Sequence, residues 1–357
     1  MIQLRSSDPV AITGIGPIAP EVMNVQELVA AVQTPIRSSA GDAMRPLTGF
    51  EPHRLLGKRG IKFLTPATRY ALGAAHLAVE DAGLGEETYG PEHRGVVVGT
   101  NFAVHEPTET MDRVILSEGA QALSALETPN FSVNIPASFI SLWYRYLAFN
   151  ITLASTLVAG LEAVLLGAHG IQQGRAQMVL AGATEGRSPR RMLGYLGGTI
   201  AEGAACILSL ERLSRAEARG ARSYATVGAG IFGFVPPSSS TDPADLRRLA
   251  ESFHRLLDQT LRPNQATAHL FICDGDFAIG RVASSCLLRC LHERGIGVVR
   301  VPPGGLAAIA ACASPVLGLA ACAALHGEGL VLAASPHGHV VLLRLDPVGR
   351  GAGEQRD

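Results

Sequence analysis

Lysine is almost missing from this chain: Lys58 and Lys62 are the only two among 357 residues, and arginine supplies the other basic side chains. That bias reads as codon usage rather than function. Tryptophan occurs once and aromatics reach only 5%, against 40 glycines, so the interior must pack by closeness of small side chains. Net charge is −1, which excludes a bulk electrostatic attraction to nucleic acid. The six cysteines form no C-x-x-C pair, and no histidine spacing beside them completes a zinc pattern. No metal or other cofactor is therefore expected. Cys206, Cys273, Cys286, Cys290, Cys312 and Cys322 read as small buried hydrophobes in a reducing compartment, with Cys286 and Cys290 on one helix face. An apolar signal core is missing before the first strand, so a cytoplasmic location is expected.

Charge is also missing between Arg300 and Glu328, a stretch long enough to cross a bilayer. Alanine contributes little to insertion, and Pro302, Pro303 and Pro315 interrupt the run. The expectation is a deeply buried helix covered by sheet, and no membrane span.

What is present is a chain 47% hydrophobic, enough for a large core, with strand and helix signals in alternation. VAITGIG (10–16) reads as a buried strand entering a glycine turn. Residues 65–84 read as a helix with Thr65 as N-cap, Pro66 at its first position and Gly83 as its stop. RGVVVGT (94–100) and 178–181 read as strands, with a helix over 161–174 between them. In the second half, 224–234, 269–273, 297–301, 330–334 and 340–345 read as strands. Helices are expected over 242–261, with Leu246, Leu249, Phe253 and Leu256 on one side, and over 282–294, followed by the Ala-rich helix. The alternation predicts a largely parallel α/β architecture. SSST (238–241) reads as a linker or loop, and the tail GRGAGEQRD as disordered.

Several of these stretches, in order, resemble the β-ketoacyl synthase branch of the thiolase superfamily. VAITGIGPIAP is similar to its opening strand and loop, and AHLAVEDAGL to the helix before RGVVVGT. FNITLASTLVAG with LEAVLLGAHGIQQGRAQMVLAGATEG resembles the nucleophile elbow, its helix and the next strand. AEGAACILSLERLSRAEARGARSYATVGAG resembles the crossing into the C-terminal half. The resemblance implies a thiolase-like five-layer α/β/α/β/α sandwich of two similar halves, 1–222 and 223–347, with 348–357 as a tail. It also implies dimerisation by pairing of strands beside the nucleophile helix.

In that family a Cys and two His carry the chemistry. The thiolate accepts an acyl chain, and the histidines support decarboxylation and stabilise the developing oxyanions. The resemblance places Leu157 at the Cys position, and Asp274 and Ile309 at the two His positions. A leucine cannot attack a thioester. His337 and His339, in a glycine-rich turn, read as loop or packing residues. The chain also has few residues between Glu185 and Glu202, where the family carries cover loops.

These losses point to a catalytically inactive subunit, most like the chain-length factor of a type II polyketide synthase. Such a subunit pairs with a paralogous active ketosynthase and acts on chains carried by an acyl carrier protein. It shapes the partner's acyl tunnel, and an apolar Leu157 would suit a polyene chain, which needs only an apolar slot. Leu157 departs from the Gln common at that position in chain-length factors and suits packing or tunnel lining. The segment 101–116 would close the tunnel, with His105, Thr108, Met111 and Asp112 as candidates. Residues 129–149 concentrate aromatics, and Phe131, Asn134, Phe139, Trp143 and Tyr146 are candidate dimer-interface residues; ordinary core is the other reading. Arg187, Arg190 and Arg191 are candidate carrier-protein contacts, or a solvated charge cluster. The alternative function is a divergent acyl-thioester hydrolase or acyltransferase using Ser155, Thr156 or Asp274.

Overall fold

The computed structural model describes residues 2–3, 8–34, 44–57, 60–187, 200–236, 243–258, 267–273, 277–302 and 310–349. The first half contains β1 (Ile2–Gln3), β2 (Val10–Ile18), α1 (Val25–Gln33), β3 (Met44–Arg45), α2 (Pro52–Leu56), α3 (Pro66–Asp81), β4 (Arg94–Gly99), α4 (His105–Glu118), α5 (Ile135–Tyr144), β5 (Phe149–Leu153), α6 (Ala159–Gln172), β6 (Met178–Glu185), β7 (Ile200–Ala201), β8 (Ala204–Arg212) and α7 (Leu213–Ala218). The second contains β9 (Ala225–Phe234), α8 (Pro243–Asp258), β10 (Thr267–Cys273), α9 (Ala278–His292), β11 (Gly297–Arg300), α10 (Ala313–His326), β12 (Gly329–Ala334) and β13 (His339–Asp346).

The strands repeat one plan. The sheet runs β11-β10-β12-β13-β9-β2-β8-β6-β4-β5, with β1 beside β9. In the first half β4 lies between β5 and β6 and is parallel to both, while β8 is antiparallel to β6 and to β2. In the second, β10 lies between β11 and β12 and is parallel to both, while β13 is antiparallel to β12 and to β9. Antiparallel pairing of Val10–Ile12 with Ala225–Val227 joins the two. The architecture is thus mixed, not largely parallel. Helices lead from β5 to β6 and from β11 to β12, but β12 turns straight into β13 at Ser335–Gly338, which forces that pair antiparallel.

Period-two alternation sorts the side chains into layers. Val97, Val179, Ala181 and Leu208 face an inner core with α6, and Val331, Ala333 and Leu343 face the same core with α10. Val96, Val98, Leu180 and Ile207 face outward onto α3 and α5. Leu270, Leu332 and Leu342 face outward onto α8 and α9. The result is the expected α/β/α/β/α sandwich, with α6 and α10 as its middle layer.

Local chemistry accounts for the main elements. Thr65 accepts a hydrogen bond from the Thr68 amide (3.2 Å) and Pro66 follows it, which starts α3. Gly83 takes φ +62° just past its end, where the Leu84 amide reaches the Val79 carbonyl (3.0 Å). Leu249, Phe253, Leu256 and Leu257 are the buried face of α8, with Leu246 half-buried at the helix's first turns. The Ala-rich stretch becomes α10, buried in the middle layer, with Pro315 in the first turn where its missing amide proton costs nothing. No described helix is long and apolar enough to cross a membrane.

Gly14 and Gly16 do not make the expected turn. Strand β2 continues through them to Ile18, because α3 lies against this strand at backbone distance. An added Cβ at Gly14 would overlap the Ala78 carbonyl, and one at Gly16 the Ala74 carbonyl. Helices α4 and α5 were not legible in advance. The stretch 238–241 and most of the tail lie outside the described residues.

Candidate functional site

The elbow resembling the nucleophile region lies at the N-terminus of α6, in the middle layer. Strand β5 ends at Leu153, Thr156 takes φ +62°, and one turn of 3-10 helix over Thr156–Val158 leads into α6. A β-branched residue with positive φ is strained by about 1–2 kcal/mol, so the surroundings must hold it. Asn101 does: its side-chain amide donates to the Thr156 carbonyl (2.7 Å). Leu157 follows, with its side chain buried. Gly160 brings α6 against α10 so closely that a Cβ there would overlap the Cys312 carbonyl and meet Val316.

Beneath the elbow sits a fully buried carboxyl, Glu185, at the end of β6. It accepts from the amides of Phe102 (2.8 Å) and Asn101 (3.1 Å), and from the Asn101 side chain (3.1 Å). The Thr100 hydroxyl (3.3 Å) and the Cys312 thiol (2.9 Å) also donate to it. Glu185 thus ties together the loop after β4, the elbow through Asn101, and the start of α10. Burial pushes its carboxyl above the usual range, while the Cys312 thiol and the amides of Phe102 and Asn101 pull it down. The Cys312 thiol is itself pushed well up by burial and by the adjacent carboxylate. Cys312 thus serves Glu185 as a hydrogen-bond donor. Cys206, also in the middle layer, is pushed up by burial alone.

Two further polar groups lie near Leu157. The Ser155 hydroxyl donates to the Glu162 carboxylate, and among the described residues no histidine bonds to either group. The Thr156 hydroxyl is buried without a hydrogen-bond partner. No group of three or more His, Cys, Asp or Glu among the described residues could hold a metal ion.

The sequence candidates separate in space. Asp274, Ile309, Arg190 and Arg191 lie outside the described residues. Arg187 is exposed, with Glu106 of α4 at 3.8 Å. His105, Thr108, Met111 and Asp112 all lie on α4, a helix that buries none of its residues. His105 and Met111 are half-buried, and Thr108 and Asp112 are exposed. Met111 lines a small cavity with Lys62, Arg69 and Asn130. Phe131, Asn134 and Trp143 are exposed. Tyr146 is not a surface residue: it is buried in the chain's own outer core, with Arg94 over its ring (5.4 Å), and Phe139 is half-buried against the same cluster. Pro136, Ala137, Ile140 and the half-buried Tyr144 recur at the three-to-four spacing of a helix packed on its own sheet, so only part of that cluster points out. His337 sits in the β12–β13 turn and His339 packs against Phe234. Glu185, Asn101 and Cys312 were not singled out in the sequence. The available signal was a carboxylate ending an otherwise apolar strand, MVLAGATE.

Residues 34–196 match the family model for the β-ketoacyl synthase N-terminal domain. The chain is 26% identical over 210 residues to 3-oxoacyl-[acyl-carrier-protein] synthase 2 of Vibrio cholerae, covering 52% of this chain and 51% of that one. It is 30% identical over 234 residues to the tetracenomycin polyketide synthase ketoacyl synthase alpha subunit of Streptomyces glaucescens, covering 55% and 53%. The chain thus spans about half the length of these curated relatives. Among solved structures, the ishigamide ketosynthase/chain length factor superposes with TM-score 0.81 at 20% identity, covering 96% of this chain and all of that one. A type II polyketide synthase acyl-carrier protein in complex with its ketosynthase bound to the hexaketide gives 0.81 at 19%, covering 96% and 99%. The layered fold is the thiolase-like ketosynthase fold, and residues 34–196 are similar to the N-terminal domain of β-ketoacyl synthases.

Proposed function

We propose that the chain is a non-catalytic chain-length factor, pairing with an active ketosynthase and shaping the tunnel that holds a growing acyl or polyketide chain on acyl carrier protein. The observation that carries this reading is Leu157, a buried isobutyl group at the strained elbow where the family resemblance calls for a thiolate. It can neither form a thioester nor take a proton. The elbow geometry is kept by Asn101 and Glu185 even though the reactive atom is gone, which favours retention for shape.

The surface supports a partner. Strand β5 pairs only with β4 among the described residues, so its other edge is open. Around it Leu142 is 71% and Leu147 69% exposed, with Trp143 and Phe131 also exposed, and on α4 Leu116 is 88% exposed. An open edge strand near exposed apolar side chains is a liability unless another chain covers it. Tyr144, Thr152, Thr156, His169 and Gln172, on α5, β5, the elbow and α6, each have a buried side-chain polar atom with no partner. The partner with the best chemical fit is a ketosynthase that keeps the Cys and two His, with its own tunnel closed by α4 of this chain. The structural relatives include a ketosynthase/chain length factor, which agrees with this reading.

Co-expression with such a ketosynthase tests it. A one-to-one complex is expected, with condensation requiring both chains. A hydrolase or acyltransferase is the second reading, and the Ser155–Glu162 hydrogen bond is what favours it. Acyl-thioester turnover by the isolated chain, abolished by Ser155→Ala, would establish it instead.

A further inference from the structure

The end of α10 opposite Cys312 carries two stacked imidazoles. His269 lies on β10 and His326 is the last residue of α10; their ring centroids are 3.7 Å apart and their planes within 7° of parallel. By contrast Phe50–Tyr70, Tyr144–Tyr146 and Phe234–His339 meet edge-on or tilted, at 71°, 48° and 68°. Strand periodicity makes the stack possible: Phe271, two residues on, faces the middle layer, so the His269 ring also turns towards α10. His326 reaches it from the last helical turn, which the Gly327 amide, at φ +66°, closes on the Ala323 carbonyl (3.1 Å). Nδ1 of His269 is buried without a hydrogen-bond partner among the described residues, so the stack and not a bond at that atom places the ring.

Two imidazoles stack while no more than one is charged; two imidazolium ions at this spacing repel. Even with the screening of water, such a pair makes the second proton about fivefold harder to add. The neighbouring elements offer few charges to offset this. On β11 the register partner of His269 is Val299, and on β12 its neighbour is Gly329. Cys322, one turn earlier on α10, is a thiol that burial pushes up to about 12, so it adds no charge. Where the chain enters β9, the Tyr224 carbonyl lies against Gly327, and the Tyr224 phenol is bonded to Asp81 with Arg222 over its ring. Glu328 faces His326 and favours its charged form, as does the C-terminus of a helix. Even so, partial burial and the facing His269 hold the His326 imidazole below the ordinary value of 6.5.

We propose that the His269–His326 stack is an acid-sensitive latch, which fastens the last turn of α10 to β10 at neutral pH and releases it when both rings carry a proton. An imidazole held below its ordinary value in the closed form contributes stability that is full above 6.5 and is lost as pH falls through the lowered value. The part released is the turn closed by Gly327 and the short link into β12. The other end of α10 stays fastened, because the Cys312 thiol donates to Glu185 there (2.9 Å). One helix is thus pinned at its start by a buried carboxyl and at its end by a pair that titrates.

Hydrogen exchange of the native full chain, read by mass spectrometry and corrected for the intrinsic pH dependence of amide exchange, tests the latch. Between about pH 7.5 and about pH 5.5 the peptide over residues 323–330 should lose about fivefold in protection, while α3 keeps its own within about twofold. His326→Gln, which cannot be charged, should hold the same protection at both pH values. The His326 ring proton should titrate below 6.5 by NMR, and His269→Gln should raise that midpoint. The proposal is overturned if wild-type protection at 323–330 does not change, or if α3 loses as much, since that would be global unfolding. It is equally overturned if the loss persists in His326→Gln, which would assign it to another group, or if His326 titrates at or above 6.5. The wild-type exchange and titration need no variant, so they decide the matter even if a substituted chain folds poorly.

Discussion

The two halves of the molecule share a strand order and differ in how they treat their edges. The second half ends in β11, four residues long, closing on the charged Arg300. A short, charged edge discourages further pairing. The first half ends in β5, Phe-Asn-Ile-Thr-Leu, without a charge, flanked by the exposed Leu142, Trp143 and Leu147. Between β4 and β5 the first half inserts α4 and α5, whereas among the described residues α9 spans the corresponding step from β10 to β11. The halves also repeat a strained approach to their middle helices: Thr156 with φ +62° before Leu157, and Ala311 with φ +41° before Cys312. One plan has thus been used twice, once ending in a charged edge strand and once in an uncharged one. The difference leaves exposed apolar side chains beside the first half's edge strand and a charge on the second half's.

The largest effect should come from charging the open edge. Leu142→Arg with Trp143→Glu should weaken association with a ketosynthase by about a hundredfold or more, as loss of a buried aromatic and aliphatic anchor does. Val299→Arg, on the opposite edge strand, should leave association unchanged. Titration of the labelled partner against each variant measures both. Equal weakening by the two changes would erase the distinction between edges.

The next effect concerns the middle layer. Gly160→Ala drives a Cβ into the backbone carbonyl of Cys312, which cannot move without shifting α10. The expected cost is about 1–3 kcal/mol or more. Gly318→Ala, on α10, meets the Phe271 ring, a side chain that can rotate away, and should cost less. Urea unfolding of both variants ranks them, and the reverse order would contradict the packing described.

Much of the sandwich was readable from residues 10–16, 65–84 and 178–181, because short apolar runs, a Thr-Pro start and a Gly stop are local signals. Strand direction was not readable. Alternating helices and strands look the same whether the last strand of each half returns parallel or antiparallel, and only the register of β8 and β13 decides it. Helix α4 was hidden because HEPTETMDRVILSE buries no residue and carries no clean apolar stripe. Leu157 was legible through family resemblance alone. The Glu185 cluster was illegible for a physical reason: its donors lie 84 and 127 positions away along the chain, so only folding brings them together.

That cluster supplies the smaller predictions. Glu185→Gln keeps the volume but turns one acceptor into a donor that faces donors, at a cost of about 1–3 kcal/mol. Cys312→Ala removes a single thiol donor and should cost about 0.5–1.5 kcal/mol. The two should not add, because they share the bond. The smallest effect is the pH slope. A Glu185 carboxyl raised by folding contributes stability that is present below the unfolded value of 4.5 and is lost as pH rises towards the raised value. Wild type should therefore lose stability relative to Glu185→Gln on going from acid to neutral pH. Paired unfolding curves across that window measure it, and a gain with rising pH would mean that the five donors outweigh burial.

The most direct measurement of the central claim is the mass of the assembly formed when this chain is co-expressed with a ketosynthase that retains the Cys and two His. The expected result is a one-to-one complex that dissociates when the β5 side carries Leu142→Arg and Trp143→Glu. A monodisperse homodimer of this chain that no such ketosynthase joins would contradict it.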